Sequence, residues 1–98
     1  MNKELKAKWV EALRSGKYEQ GRGQLKKMKS DGSFAFCCLG VLADLDGEIK
    51  RLDISPQNYL DPSSCGIHVN IQQNMALFND TCYTFEWIAD YIERNAEI

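Results

Sequence analysis

Between Phe36 and Leu45 the chain runs Phe-Cys-Cys-Leu-Gly-Val-Leu-Ala-Asp-Leu, an apolar stretch in which Cys37, Cys38, Gly40 and Ala43 are small. Small residues set among leucines and a valine suit a buried helix that neighbouring backbone can approach closely, closed by Asp46-Gly47. A buried strand is the competing reading, because periodicity does not separate short apolar runs. The rest of the chain has to be arranged around this segment. With 98 residues, 44% of them hydrophobic, there is enough chain for one compact domain over residues 1–98 with one core.

The flanking segments fill in a small α+β domain, mainly helical, with three to four helices and a short β-hairpin. Residues 3–15 place Leu5, Trp9, Val10 and Leu13 on one helical stripe, with Lys3, Lys6, Lys8 and Glu11 off it and Gly16 as the stop. Leu25 to Met28 and Phe34 to Phe36 flank Lys29-Ser30-Asp31-Gly32-Ser33, whose Asp-Gly step signals a hairpin turn. Met75, Leu77 and Phe78 predict a short helix ending at Asn79-Asp80. Thr84 is positioned to cap a final helix that carries Phe85, Ile88, Ala89 and Ile92 on one face. Between them, Ile49, Leu52 and Ile54 hint at a strand before a loop marked by Pro56 and Pro62.

Charge and cysteine content narrow the function classes. Residues 1–30 hold nine Lys or Arg against three acids, a net +6, while the remainder nets −8, so the overall −2 hides a basic start and an acidic end. That asymmetry either makes two oppositely charged surfaces or neutralises itself within a monomer or across a homo-oligomer. No apolar run approaches the roughly 18 to 20 residues of a membrane span, and the N-terminus lacks a signal-peptide centre, which predicts a soluble intracellular protein without a membrane partner. Cys37, Cys38, Cys65 and Cys82 are expected to be reduced, since an adjacent pair in an apolar run is a poor start for a disulfide framework.

Taken together, WVEALRSGKYEQGRGQL, FCCLGVLADL, a tyrosine-leucine-proline region, and MALFND followed by TFEWIADYIE resemble a family of small proteins encoded by bacteriophages and prophages. The resemblance spans roughly residues 8 to 94. It rests on Trp9 to Leu13, Gln20 to Leu25, Phe36 to Leu42, Leu77 to Asp80 and Thr84 to Ile92. It implies a phage accessory protein in the cytoplasm of an infected bacterial host, acting by binding to blunt a host defence or redirect a host process.

Two binding modes follow. In one, the protein occupies a host protein, with Trp9, Tyr18, Lys26 and Lys27, and the aromatic Trp87, as anchors. In the other, an oligomer sequesters a small anionic nucleotide. Gly21 and Gly23 permit a turn whose N–H groups form an anion nest beside Arg22, and Gln20, Asn79 and Asp80 complete the lining. The competing reading of the Gly-Arg-Gly step is a tight turn with Arg22 paired to an acid, and that of Asn79-Asp80 is a helix-stopping turn. The cluster Lys26, Lys27 and Lys29 invites nucleic acid, but a pI near 5.3 argues against that as the main role.

A third reading is enzymatic. Gln24, Cys37, His68 and Asn70 or Asp80 follow the order of a thiol hydrolase, with a helix N-terminus favouring the Cys37 thiolate and His68 accepting its proton. Cys65 and His68 are three residues apart and Cys82 is a third donor, yet the paired two-residue spacing of common zinc sites is missing. No cofactor or metal is therefore expected.

Overall fold

A computed structural model describes residues 1–23, 25–45, 65–81, 83–96 and 98. Along them run α1 (Lys3–Arg14), β1 (Glu19–Gln20), β2 (Lys26–Met28), β3 (Phe34–Phe36), α2 (Cys38–Leu45), α3 (Val69–Asp80) and α4 (Phe85–Arg94). The chain is thus an α+β domain, mainly helical, with a small sheet. The expected Asp46-Gly47 stop, the strand at Ile49 to Ile54 and the loop at Pro56 and Pro62 lie outside the described residues.

Helix α1 begins where the Asn2 side chain accepts hydrogen bonds from the N–H groups of Glu4 and Leu5, at 2.7 and 3.1 Å, which satisfies two of the donors a helix start leaves open. It ends at Ser15, where Gly16 takes a φ of +77°, a left-handed value that glycine adopts without strain. Trp9, Val10 and Leu13 are buried along its inner stripe. Thr84 starts α4 in the same way, accepting from the Trp87 N–H at 3.2 Å, and Phe85, Ile88, Ala89 and Ile92 are all buried. The two stripes face each other across the α1–α4 contact, and Arg14 ties the helices on the outside by pairing with both Asp90 and Glu93.

The Asp-Gly turn closes as expected. Lys29 N–H donates to Ser33 O at 2.7 Å, Gly32 has a φ of +88°, and Asp31 accepts from both the N–H and the hydroxyl of Ser33. Strands β2 and β3 pair antiparallel with Lys27 opposite Ala35. A strand the periodicity did not reveal joins on the far side: β1 lies parallel to β3, Gln20 opposite Phe36, giving the order β1-β3-β2.

Helix α2 is the core element, buried from Cys38 through Ala43. Gly40 sits against the backbone of Leu25 so closely that a Cβ there would lie 1.7 Å from the Leu25 carbonyl oxygen. The helix reading of this run is therefore correct, and close approach explains its glycine. Helix α3 is longer than expected, reaching back to His68, whose Nδ1 accepts from the Asn70 N–H at 3.1 Å and caps it. Its buried side includes the polar Gln72 and Asn79 as well as Met75. Gln72 donates to Ile67 O at 3.0 Å, so its amide is satisfied in the core. No helix among the described residues is long and apolar enough to cross a membrane.

Candidate functional site

The fold brings Gln20, Gly21, Arg22 and Gly23 against the C-terminal end of α3, so the two halves of the expected ligand site do meet. Asn79 is fully buried at the junction. Its Oδ1 accepts from Gln20 Nε2 at 2.9 Å and from the Cys38 N–H at 3.3 Å, while its Nδ2 donates to Gly21 O at 2.7 Å and Asp80 Oδ1 at 3.3 Å. One side chain thus links the end of β1, the start of α2 and the end of α3. Gly21 extends the parallel pairing by donating to Phe36 O at 2.7 Å, and a Cβ there would meet the Ala35 Cβ at 2.9 Å.

The remaining donors of the turn are turned inward as well. Gly23, with a φ of +84°, donates its N–H to Asp80 Oδ1 at 3.0 Å. The chain's own carboxylate thus occupies the place an anionic ligand would take at that amide. Arg22 is exposed, and its Nε donates to the Thr81 carbonyl at 3.3 Å; among the described residues it has no acidic partner, contrary to the ion pair the turn reading anticipated. Asn79 is likewise corrected from a ligand-facing group to an internal hub, because every polar atom of its amide is spent on the protein.

Beside this junction lies an aromatic surface. Phe78 stands edge-on to Tyr83, Trp87 and Tyr91 at centroid distances of 5.4, 5.1 and 5.2 Å, and Trp87 packs against Tyr83 at 4.3 Å and stacks on Tyr91 at 6.0 Å. These are the offset and edge-to-face arrangements aromatic rings prefer. Tyr83 and Trp87 keep 38% and 36% of their surface open. Gln20 Nε2 holds the Tyr83 carbonyl at 2.9 Å and Arg22 holds that of Thr81, so the polar junction fixes one rim of the aromatic face. In the sequence, the signal for this face is the four-residue spacing of Tyr83, Trp87 and Tyr91, of which the expected anchors include Trp87 alone.

The other expected anchors divide. Trp9 is not at the surface: it is fully buried, and its indole N–H donates to Cys38 O at 2.8 Å. Its place on the α1 stripe, among the core residues, is the physical reason. Tyr18 is partly buried, edge-on to Phe36 at 5.1 Å, and its hydroxyl donates to Asp44 at 2.6 Å. Burial, then the bond to Asp44, push its pKa up to about 12. Lys27 is exposed, and Lys26 Nζ sits 4.3 Å from the Phe34 ring centre.

Cys37, Cys38 and Cys65 are reduced and buried, and Cys82 and Gln24 lie outside the described residues. Burial pushes the Cys37 thiol up to about 11, outweighing the N–H groups of Gly40 and Leu39 that favour its thiolate, and burial raises the Cys38 thiol well above its usual value too. His68 uses Nδ1 to cap α3, and no hydrogen bond among the described residues joins it to Cys37. Likewise, no group of three or more His, Cys, Asp or Glu among the described residues could hold a metal ion.

No curated protein and no solved structure gives a match to this chain. Residues 1–62, which include α1, the sheet and α2, match the family described as Domain of unknown function (DUF8296), and the chain belongs to that family.

Proposed function

We propose that this domain acts by binding rather than by catalysis, as a phage-encoded accessory protein that occupies a protein of its bacterial host. The phage setting rests on the resemblance of its motifs. The observation that carries the binding mode is the aromatic face: the part-open rings of Tyr83 and Trp87, backed by Phe78 and Tyr91. Rigid tyrosine and tryptophan side chains give a large contact area at low entropy cost, and interface hot spots are rich in them. Blunting a defence or redirecting a host process would follow from covering the partner's working surface.

Sequestration of an anionic nucleotide has less support, because the Gly23 amide already serves Asp80 and the Asn79 amide is used within the protein. Thiol hydrolysis has less still, since a buried thiol with a raised pKa gives little thiolate near neutral pH.

The test is capture from infected host cells followed by native mass spectrometry, comparing the parent chain with Trp87→Ala and Arg22→Ala. The expected result is a stoichiometric host protein lost with Trp87→Ala and still captured, though more weakly, with Arg22→Ala, which removes only the hold on the Thr81 carbonyl. A heat-released nucleotide lost only with Arg22→Ala would replace this reading with sequestration.

A further inference from the structure

A second surface, on the sheet, is not used by the aromatic face. Strand β2 lies at the edge of the order β1-β3-β2. Cys37 N–H donates to Leu25 O, and Lys29 N–H to Ser33 O. The alternation of an antiparallel ladder therefore turns residues 25, 27 and 29 toward β3 and directs the main-chain groups of Lys26 and Met28 outward. Among the described residues those outward groups have no partner.

The side chains around the edge are sorted by face. Lys26, Met28, Phe34 and Phe36 share the outer face, since Lys26 opposes Phe36 and Met28 opposes Phe34. Met28 is 67% exposed and Phe34 43%, so the apolar end of that face stands open. Lys27 projects from the other face, beside buried Ala35, and is exposed. Lys29 is neutralised by Glu19 at 2.6 Å, but Lys26 and Lys27 have no acidic partner among the described residues.

We infer that β2 is a docking edge for an extended acidic segment of a partner protein, which adds as a fourth strand beside β2 through Lys26 and Met28. Main-chain hydrogen bonds supply the pairing, and side-chain alternation supplies selectivity. Residues of the incoming strand on the outer face meet Met28 and Phe34 and are apolar. Those on the other face meet Lys27 and are acidic. A second copy of this chain is a poor occupant, because edge-to-edge pairing of two β2 strands sets lysines against lysines, the arrangement by which edge lysines discourage self-association.

The test uses the full chain, labelled with nitrogen-15 and titrated with a capped hexapeptide of alternating valine and glutamate; a valine-lysine hexapeptide serves as the control. The acidic peptide is expected to shift the Lys26 and Met28 amide resonances and slow their hydrogen exchange, and the control is not. Met28→Pro removes an outward N–H that the β2–β3 ladder does not use, a position where a strand tolerates proline. It should weaken binding by at least about tenfold. Should that variant fail to fold, Lys27→Glu, at an exposed site, is expected to weaken binding similarly. Unchanged Lys26 and Met28 resonances at millimolar peptide, equal binding of the lysine peptide, or undiminished binding by a folded Met28→Pro would each overturn the inference. So would a dimer of the parent chain that Met28→Pro dissolves, which would give the edge to a second copy.

Discussion

Asn79→Ala tests the central structural claim, that one amide holds three elements together. Removing the side chain leaves the Gly21 carbonyl without its 2.7 Å donor and the Cys38 N–H without its 3.3 Å acceptor, whereas Gln20 keeps the Tyr83 carbonyl. An abandoned buried polar group costs about 1–3 kcal/mol, so two of them imply a loss of about 3 kcal/mol. Urea unfolding followed by tryptophan fluorescence would read this. With a slope on the order of 1.5 kcal/mol per M for a chain of this size, the midpoint should fall by about 2 M. Asn79→Asp separates donation from acceptance: it keeps an acceptor but cannot donate to Gly21 O at neutral pH, and it adds charge beside Asp80. It should destabilise at least as strongly as alanine. Burial raises the folded pKa of the new carboxyl above its unfolded value, so its damage should shrink as pH falls through that folded pKa and the group becomes a donor again. A loss below about 1 kcal/mol for Asn79→Ala would refute the hub.

Three further outcomes are expected. Gly40→Ala should abolish folding or cost at least about 3 kcal/mol, because the obstacle is the Leu25 backbone rather than a movable side chain; circular dichroism and expression level report it. Native Cys37 and Cys38 should resist iodoacetamide near pH 8 and react once urea unfolds the chain, and rapid native alkylation of Cys37 would revive the thiol-hydrolase reading. Tyr18, with its folded pKa raised to about 12, contributes stability that is fully present below the unfolded tyrosine value of about 10. That contribution is lost as pH rises through the folded value, so an alkaline loss of stability should be reduced in Tyr18→Phe.

What the sequence disclosed and what it hid follow from how local each determinant is. The cap at Thr84, the Asp-Gly hairpin and the stripes of α1 and α4 depend on neighbours within a turn of chain, and the structure follows the pattern there. Strand β1 is two residues, Glu19 and Gln20, too short for any alternation to register. It exists because β3 offers it a partner distant in sequence. The start of α3 is hidden in the sequence because its cap is a histidine and its buried side includes Gln72 and Asn79, so polarity masks the helical period. By sequence alone Trp9 suits both the core stripe of α1 and a surface anchor, and its indole bond to Cys38 decides for the core. At the candidate site, the nearness of the Gly-Arg-Gly turn to Asn79-Asp80 was legible as a possibility, but the direction of each donor is set by tertiary packing.

That direction changes what the polar motif is for. If Gly23 and Asn79 faced solvent, the turn would be a receptor for anions. With the Asp80 carboxylate at the Gly23 amide and the Asn79 amide closed on Gly21, Gln20 and Cys38, it is instead a clasp that fixes the end of α3 against the sheet. The residues immediately past the clasp are those whose carbonyls Arg22 and Gln20 hold, at Thr81 and Tyr83. Fixing them orients Tyr83 against Trp87. Damage to the clasp should therefore reach binding through the aromatic face, by loosening Tyr83, without removing any group that touches the partner. Gln20→Ala distinguishes the two roles: it removes the grip on Tyr83 while leaving Arg22 and the Gly23–Asp80 bond in place. A receptor lined by Gln20 would loosen its hold on an anion after that change, whereas a clasp would lose affinity for the proposed protein partner, so isotherms of Gln20→Ala with inorganic phosphate and with the captured partner, beside Trp87→Ala, tell them apart.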